Sequence, residues 1–495
     1  MIEFAPSAPF TVGLEEELLL VDPETLALVP TAADVLARLD AGRSVGHEAY
    51  AAELELRSAP ALHVSAAVDE LQGLRAHVAG AGATLLGAGV HPAGAHGDAA
   101  LVDSERYRQV DDAMRGLIRR TPECALHVHV GVLNVETAIR VFNGLREWLP
   151  LLQGLAANSP WWFGSDSGLA SARAALVRAY PGRGIPRALR DADDWGDLVA
   201  ATTAAGGLAD YTFLWWDLRL HPRHGTVEVR ELDAQSSLDH VAGLAVLIRA
   251  LACEAAQLPP RAGTPSEILA WSSFRAMRDG VEATILDTGV LAPLREIARS
   301  TVERLRPIAR ELGDEDALDA VAGILASGGG AGRRRRAFAE GGLRLLLEQL
   351  VEETARRDEP LPSNRGSRPS SERPEPTVAS RWLDARSRCD LDELAALTAE
   401  QAVWASPVVG EVRGREAVVE QIRAGFTDAD EFGTELLSFE TRGEKAVAVI
   451  RNTGRRNGQE LDSLQSLFLQ TAGGSVTSVR VAVDDPEAIE TFWSD

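Results

Sequence analysis

Four short segments of the sequence each carry two charged or imidazole side chains in alternation with aliphatic residues. Side chains two residues apart lie on the same face of a β-strand, so each pair would face one side of a sheet. Carboxylates and imidazoles brought together in this way could bind divalent cations. The four pairs are Glu15/Glu17, Glu53/Glu55, His127/His129 and Glu228/Arg230.

The first pair lies in residues 13–22, where three consecutive glutamates precede a run of aliphatic side chains. Glu15 and Glu17 would share a face, and Glu16 would point to the other. Two like charges so close are unfavourable unless a positive charge lies between them, and a divalent ion is the natural candidate. The alternative is an edge strand whose carboxylates are solvated.

The third and fourth pairs also allow a structural and a functional interpretation. His127 and His129 alternate with aliphatic residues in 124–132, and two imidazoles on one face indicate metal or substrate contacts more than a core role. Glu228 and Arg230 follow a turn at Gly225, in a hairpin-like arrangement of two strands. A cross-strand salt-bridge ladder would also explain this last pair.

Together the four segments predict one sheet with a polar, functional concave face and a hydrophobic face packed on helices, in an α+β fold. Five or more carboxylates facing one cavity would require two or more divalent ions. Oxygen ligands with an imidazole suit Mg²⁺ or Mn²⁺ better than Zn²⁺. Such ions beside arginines are suited to phosphoryl transfer from a metal–nucleotide complex.

The charge balance excludes several classes of partner and mechanism. The net charge of −23 leaves no basic excess, which argues against nucleic acid or an anionic membrane as the main partner. Lys445 is the only lysine in the chain, so the residues before it hold no P-loop, kinase-type or Schiff-base lysine. Phosphate groups would have to be bound by arginines, metal ions or backbone N–H groups.

The sequence favours a cytoplasmic protein without structural disulfides or zinc. The three cysteines, Cys124, Cys253 and Cys389, have neither CxxC nor zinc-ligand spacing. The N-terminal residues lack the basic and apolar regions of a signal peptide. Residues 241–258, the most apolar helix candidate, are interrupted by two charged residues and predict a core helix rather than a membrane span.

The chain divides into two predicted domains. Residues 1–357 form the first, and its second half is mostly helical. There a glycine run leads into four arginines; Arg333 is a candidate contact for an anionic cofactor, although a flexible, solvated connection would explain the run slightly better. Residues 358–376 predict a disordered linker rich in proline and serine. Residues 377–495 predict a small α+β domain, with helices before an antiparallel sheet of four strands.

The motifs around the four pairs resemble the glutamate–cysteine ligase type 2 family of carboxylate–amine ligases. The resemblance covers about residues 8–357 and rests on Gly13-Leu-Glu-Glu-Glu-Leu-Leu-Leu-Val-Asp-Pro23, His127-Val-His-Val-Gly131 and Trp216-Asp-Leu-Arg219 leading to residues 226–233. It implies the glutamine-synthetase-like fold, an antiparallel sheet curved around a metal and nucleotide tunnel with flanking helices. It also implies ATP-dependent joining of glutamate, through γ-glutamyl phosphate, to the amino group of cysteine.

The resemblance implies a set of metal ligands. By position these are Glu15, Glu17, Glu48, Glu55, His127 and Glu228. Glu48 lies seven residues before Glu55, and this odd spacing would place it on the wrong face of an unbroken strand. Either a loop intervenes or Glu53 is the partner of Glu55.

The resemblance also implies roles for three residues near the metal ligands. His129 would face substrate or phosphate, and Arg219 and Arg230 would stabilise the transferring phosphoryl group. The sequence departs from the family in one loop, where the usual Asp-Thr-Gly-Tyr is replaced by Asp166-Ser-Gly-Leu169. Loss of this tyrosine leaves the choice of amine open.

The tail, from Ala379 to about Asp485, resembles the SnoaL-like domains of the nuclear-transport-factor-2-like (NTF2-like) fold. The resemblance rests on residues 389–397, on Val403-Trp404 and on residues 414–418. It implies a cone with a pocket, often dimeric, that acts here as an accessory domain. Trp404 is expected in its core rather than in contact with a ligand.

The sequence thus predicts a ligase that uses ATP and Mg²⁺ or Mn²⁺ and acts on glutamate and an amine such as cysteine. Two alternatives are a ligase of the same chemistry with another amine, and a catalytically silent sensor that binds nucleotide while the tail binds a small molecule. Its partners would be these small molecules and, through the tail, a second copy of the chain.

Overall fold

The computed structural model describes residues 4–39, 44–95, 97–258, 263–356, 377–406, 408–442, 444–483 and 486–493. The chain forms two compact units, Met1–Leu361 and Pro362–Asp495. The linker predicted at residues 358–376 lies outside the described residues.

The described residues of the first unit form eleven strands, and alternation of aliphatic with polar residues is confined to the longer ones. These strands are β1 (Val12–Val21), β2 (Val45–His47), β3 (Glu53–Arg57), β4 (Thr84–Leu86), β5 (Ala125–Gly131), β6 (Trp161–Trp162), β7 (Ser165–Asp166), β8 (Leu218–His221), β9 (Thr226–Asp233), β10 (Thr284–Asp287) and β11 (Val290–Pro293). Seven of them form one antiparallel sheet in the order β2-β3-β1-β5-β9-β8, with β4 also paired to β1.

Helices make up the rest of this unit. They are α1 (Ala32–Arg38), α2 (Val64–Gly80), α3 (Glu105–Met114), α4 (Val135–Ala156), α5 (Ala172–Val177), α6 (Ala192–Gly206), α7 (Leu238–Gln257), α8 (Ser266–Asp279), α9 (Leu294–Glu311), α10 (Asp319–Ala326) and α11 (Gly329–Ala355). The predicted architecture of an antiparallel sheet with flanking helices is confirmed. The predicted core helix at residues 241–258 is the buried α7. Within the described residues, no helix combines the length and apolar character that a membrane span requires.

The register of β1 brings the predicted pairs onto one face of the sheet. Glu17 lies opposite Glu55 on β3, and Glu15 lies opposite His127 on β5. His129 in turn lies opposite Glu228 on β9. Residues directly opposite on neighbouring strands share a face. The alternative of an edge strand is therefore wrong for β1, which is hydrogen-bonded on both sides.

The opposite face of the sheet is apolar and packs on helices. Its side chains, among them Leu14, Leu18, Leu54 and Val128, are inaccessible to solvent. Helix α2 contacts β1 and β3, α7 contacts β1 and β5, and α4 contacts β8 and β9. Because α7 also contacts both α2 and α4, the three helices form one layer that fixes the strands from behind.

Glu16 points into this apolar side, as the alternation predicts, and its charge is balanced there by Arg75 of α2. The guanidinium Nε and Nη2 donate to the two carboxylate oxygens over 2.8 and 2.6 Å, and both residues are buried. Arg75 also donates to the carbonyls of Gln235 and Ser236, which follow β9. The pair therefore joins the central strand, a helix and the end of β9 behind the polar face.

A β-bulge shapes strand β9. Leu126 pairs with Leu232 and Val128 pairs with Val229, so two residues of β9, Arg230 and Glu231, lie opposite His127 alone. An extra residue of this kind bends its strand and re-aims the side chains beside it. It lets Asp233, which pairs with Ala125, share the polar face with Glu228.

The glycine–arginine run is helical, so the interpretation as a flexible, solvated connection is wrong. Helix α11 begins at Gly329 and includes all four arginines. Arg334 is buried, where it contacts Glu353 and donates to Ser236 Oγ over 2.8 Å. Gly330 lies so close to Asn158 that a larger residue does not fit. A Cβ added at Gly330 would lie 2.4 Å from Asn158 Oδ1.

The second unit contains α12 (Val378–Ser387), α13 (Leu391–Leu397), β12 (Thr398–Ser406), β13 (Gly410–Arg413), α14 (Arg415–Thr427), β14 (Glu431–Arg442), β15 (Lys445–Arg456), β16 (Gln459–Ala472), β17 (Ser475–Val483) and α15 (Pro486–Trp493). Its sheet has six strands in the order β13-β12-β17-β16-β15-β14. The prediction of four strands missed β12 and β13, and β12 pairs with β17 in parallel. Trp382 and Trp404 belong to its buried core.

Removal of one member of the buried pair tests its role behind the sheet. Glu16→Ala should lower the free energy of unfolding by about 3–5 kcal/mol, because Arg75 would remain buried without a counter-charge. Urea unfolding of the full chain measures this loss. Glu348→Ala is the control, since its pair with Arg344 is exposed and should contribute about 0–1 kcal/mol. Equal losses in the two variants would contradict a structural role for the buried pair.

Candidate active site

Carboxylates and imidazoles from β1, β5 and β9 meet on the polar face. The Oε2 atom of Glu15 lies 3.4 Å from His127 Nδ1 and 3.5 Å from His129 Nε2. Glu228 Oε1 lies 3.7 Å from His129 Nε2, and Glu17 Oε1 lies 3.8 Å from His127 Nε2. Residues more than 200 positions apart in the sequence thus share one cluster, since the sheet register places their strands side by side.

Two groups in this cluster offer ligand atoms within 4.8 Å of one another. They are Glu15–Glu55–His127 and Glu15–His129–Glu228. Each group combines two carboxylates with one imidazole, a donor set that fits Mg²⁺ or Mn²⁺. Because Glu15 belongs to both groups, two ions could lie next to each other across its carboxylate.

Glu17 is oriented by the backbone of the neighbouring strand. Its Oε2 atom accepts a hydrogen bond from the N–H of Ala125, and its other oxygen is the one near His127. Glu17 is in neither of the two groups. One carboxylate oxygen therefore anchors the side chain, and the other is turned to the cluster.

The spacing problem of Glu48 is resolved by the chain between β2 and β3. Strand β2 ends at His47 and β3 begins at Glu53, so the chain leaves the sheet at Glu48. Burial, and then the charge of Glu17, raises the pKa of Glu48 to about 7. Arg230 acts in the opposite direction on this pKa, so Glu48 is coupled electrostatically to the cluster.

Glu53 also reaches the cluster but is held differently. It is fully buried, and its Oε1 atom accepts a hydrogen bond of 2.8 Å from the thiol of Cys124. Burial raises its pKa well above the usual value, and the charges of Glu17 and Glu48 raise it further. The pKa of Glu55 is raised by burial and by Glu48 and Glu15. The raised pKa values favour protonation of the carboxyl groups of Glu48, Glu53 and Glu55 when no cation is bound.

Two arginines hold Glu228 in its charged form. Nε and Nη2 of Arg219 each lie 2.9 Å from Glu228 Oε2, and Arg230 contacts Oε1. Burial alone would raise the pKa of Glu228, but Arg230 and Arg219 outweigh it and keep the pKa well below its usual value. The salt-bridge ladder considered for this pair is thus present, and it borders the candidate metal groups.

The imidazole of His129 lies near two further imidazoles, those of His221 and His224. The Nδ1 atom of His129 lies 2.9 Å from Thr226 Oγ1, and its buried Nε2 atom has no hydrogen-bond partner within the described residues. The rings of His221 and His224 stack at 4.0 Å and lie 5.9 and 6.0 Å from the ring of His129. Burial would lower the pKa of His129, but Glu15 and Glu228 raise it overall.

Sequence reasoning assigned no role to His221 and His224. Their signal was visible, because His221 lies two residues after Arg219 on β8 and therefore on the same face. Arg57 was also missed, although it directly follows the second acidic pair; it contacts Glu55 and lies opposite Glu15.

Arg333 is the one predicted residue whose described contacts lie outside the carboxylate cluster. Its Nη1 atom lies 2.7 Å from His240 Nε2, and its Nη2 atom lies 3.7 Å from Glu353. The neighbouring Arg335 instead donates to both carboxylate oxygens of Asp166 and to the carbonyl of Leu169. The arginine run thus fixes the loop in which the sequence departs from the family pattern.

Comparison with known proteins gives two family matches. The model for glutamate-cysteine ligase family 2 matches residues 11–353, and the model for the SnoaL-like domain matches residues 379–482. Two proteins of Rubrobacter xylanophilus, named "Putative glutamate--cysteine ligase 2-1" and "2-3", are 36% and 39% identical to the chain. The matches cover 67% and 71% of this chain and 91% and 99% of those proteins. Both resemblances drawn from the motifs are confirmed.

A solved structure shares the fold. The glutamate–cysteine ligase of Francisella tularensis in complex with AMP is 15% identical and aligns with a TM-score of 0.55. The alignment covers 73% of this chain and 91% of that one.

The raised pKa of Glu48 makes a prediction about stability. Without divalent ions, Glu48→Gln should be more stable than the natural chain, by an amount that grows from about pH 4.5 and levels off above about pH 7. The sign follows because the folded chain keeps Glu48 protonated where the unfolded chain ionises it, so its contribution is lost as the pH rises. Calorimetric Tm values in EDTA measure the difference.

Because the Glu48→Gln variant is compared with the natural chain, the contributions of the other titrating groups to stability cancel. Histidines such as His127 and His221, whose pKa values are lowered by desolvation and act in the opposite direction, are common to both chains and cancel in the difference. With Mg²⁺ in excess the order should reverse, because a bound cation takes over the role of the proton. A Tm difference independent of pH would rule out Glu48 as a member of the acidic cluster.

Proposed function

We propose, on the premise that the chain belongs to glutamate-cysteine ligase family 2, that it joins glutamate to cysteine with conversion of ATP to ADP and phosphate. Its membership makes it a ligase-type enzyme, and the choice of substrates is the proposal. The observation that supports it best is the cluster of carboxylates and imidazoles beside Arg219 and Arg230 on one face of the sheet.

We assign the metal ligands to Glu15, Glu55, His127, His129 and Glu228, with Glu17 and Glu48 beside them. When bound there, Mg²⁺ or Mn²⁺ would coordinate phosphate oxygens of ATP and neutralise their charge. The excess of carboxylates over cations suits this role, because the pKa values of Glu15 and Glu228 are lowered while those of Glu48, Glu53 and Glu55 are raised, so that a cation would compete with protons for the latter three.

The reaction we propose has two steps. A γ-carboxylate oxygen of glutamate attacks the γ-phosphorus of ATP, and the bond to the β-phosphate oxygen breaks to release ADP. The amine of the second substrate then attacks the acyl carbon of γ-glutamyl phosphate, and phosphate leaves. Membership of the family supports the use of a nucleotide. The solved structure that shares the fold was determined in complex with AMP, which is consistent with this use.

The protein contributes position and charge rather than a nucleophile. Arg219 and Arg230 are permanently charged, and their planar guanidinium groups could bind the transferring phosphoryl group. Cys124 is unsuited to nucleophilic attack, because burial and the charge of Glu53 raise the pKa of its thiol well above the usual value. His129 would hold the cation through its Nε2 atom, which has no hydrogen-bond partner among the described residues and lies 3.5 Å from Glu15 and 3.7 Å from Glu228, and would thereby stand next to the phosphate oxygens.

The amine acceptor depends on the loop that carries Leu169. Leu169 stands where the family pattern has tyrosine, so a hydroxyl that could bind substrate is missing there. The loop is fixed by Arg335, which makes a compensating shift less favourable. An amine other than cysteine is therefore the second candidate, with the same chemistry.

We further propose that residues 1–357 act as the ligase and that residues 377–495 form an accessory domain. The division is supported by the two compact units and by the two separate family matches.

Turnover with a panel of amines tests the proposal. With ATP, Mg²⁺ and glutamate present, release of ADP should require an amine, and cysteine should give the highest kcat/KM. Faster turnover with another amine would keep the chemistry and change the substrate. Nucleotide binding without turnover of any amine would overturn the proposal in favour of a sensor.

Glu15→Gln tests the metal assignment, because Glu15 belongs to both candidate groups. Loss of this shared carboxylate should lower kcat by roughly 100-fold or more and weaken Mn²⁺ binding by roughly 10- to 100-fold. Isothermal titration with Mn²⁺ measures the binding without reference to activity. Glu24→Gln, in the exposed turn after β1, is the control and should change neither quantity. Unchanged Mn²⁺ binding by Glu15→Gln would refute the assignment.

A further inference from the structure

The second unit contains a cavity of about 490 Å³ that is partly open to solvent. Its walls come from β12, α14, the long strands β14–β17 and α15. About half of the lining surface is apolar and comes from residues that include Trp404, Ile422, Phe426, Phe432, Val481 and Ile489. The volume falls in the range of pockets that bind small organic molecules.

One cationic side chain in this lining is exceptional in the chain. Arg386 of α12 is buried, and it lines the cavity. Its Nη1 atom donates to Thr434 Oγ1 over 3.1 Å, and its buried Nε atom has no hydrogen-bond partner among the residues that the structure describes. In the described part of the chain, no carboxylate forms an ion pair with it.

The other buried arginines show how unusual this is. Seven arginines of the described residues are buried, and six of them pair with a carboxylate. The six pairs are Arg75–Glu16, Arg146–Glu147, Arg173–Asp233, Arg219–Glu228, Arg249–Asp314 and Arg334–Glu353. Arg386 is the seventh.

The neighbours of Arg386 do not supply a negative charge. The hydroxyl of Thr434, which accepts from Arg386, donates in turn to Asn452 Oδ1 over 2.7 Å, so both groups are neutral and already paired with each other. Asp428 is the one carboxylate among the described lining residues, and it is exposed. Burial lowers the pKa of Arg386 to about 10, which leaves the guanidinium charged at neutral pH.

A second donor without a partner lines the same cavity. The Nε1 atom of Trp404 is buried and makes no hydrogen bond in the described structure. Trp404 belongs to the apolar core, as the sequence predicts, and also faces the cavity. A buried guanidinium and a buried indole N–H both require an acceptor, and the guanidinium requires a negative one.

We propose that this cavity binds a small carboxylic acid with an aromatic or branched apolar body. The carboxylate pairs with Arg386 and accepts from the indole N–H of Trp404, and the body fills the space between the aromatic and aliphatic walls. Charge-assisted hydrogen bonds of this kind select a carboxylate over a neutral group of the same shape. The site belongs to the second unit and is separate from the proposed ligase chemistry.

Calorimetric titration of the full chain tests the proposal with defined probes. We use 3-phenylpropionate, 4-phenylbutyrate and indole-3-acetate, each beside its neutral amide, with inorganic phosphate as an anion that lacks an apolar body. At least one acid should bind roughly 10- to 100-fold more tightly than its amide. Equal binding of acid and amide, binding of phosphate alone, or no binding of any acid would overturn the proposal.

Substitutions at two arginines test which charge is responsible for the preference for acid over amide. Arg386→Met keeps an apolar stem and removes the unpaired charge, so its Tm should not fall, and the preference for acid over amide should disappear. Arg381→Met is the matched control on the same helix; Arg381 is exposed and pairs with Glu393, and its loss should leave the preference unchanged. Retention of the preference by Arg386→Met would refute the assignment of Arg386.

Discussion

The arrangement of the first unit depends on repulsion among carboxylates collected on one face of a sheet. Glu15, Glu17, Glu55 and Glu228 lie within a few ångströms of two histidines, and Glu48 and Glu53 adjoin them. Arg57, Arg219 and Arg230 contact this group, so carboxylates outnumber permanent cations. The protein responds in two ways: arginines and histidines keep Glu228 and Glu15 ionised, while burial favours protons on Glu48, Glu53 and Glu55.

Such a cluster can persist only on a frame that resists its repulsion. The central strand β1 is hydrogen-bonded on both sides, and its one inward charge, Glu16, is neutralised by Arg75. Arg75 in turn holds backbone carbonyls after β9, the strand that carries Glu228. The apolar face of the sheet packs on three helices. The free energy gained by burial there offsets the electrostatic cost on the polar face, and a bound cation would lower that cost further.

Alternation along single strands was enough to predict the face that carries the site, because side-chain direction in a strand is a local property. It predicted that Glu15, Glu55, His127 and Glu228 would meet and that Glu16 would not. Features that depend on several segments together could not be predicted from the sequence. The bulge at Arg230 and Glu231 depends on the register with β5, and the exit of the chain at Glu48 depends on where β2 ends. The arginine run was misread because glycine usually weakens a helix, whereas here it permits close approach to residue 158.

Each unit carries uncompensated charge at its proposed site, negative in the first unit and positive in the second. A folded chain normally removes such imbalances, since an unpaired buried charge costs free energy, and six of the seven described buried arginines have a carboxylate partner. The first unit leaves an excess of carboxylates, which is the basis of the proposed cation site. The second leaves a guanidinium, Arg386, in the lining of a cavity, which is the basis of the proposed site for an anion with an apolar body. In each unit the uncompensated charge includes a buried side chain, Glu17 in the first and Arg386 in the second, and a buried charge is costly without a ligand and selective with one.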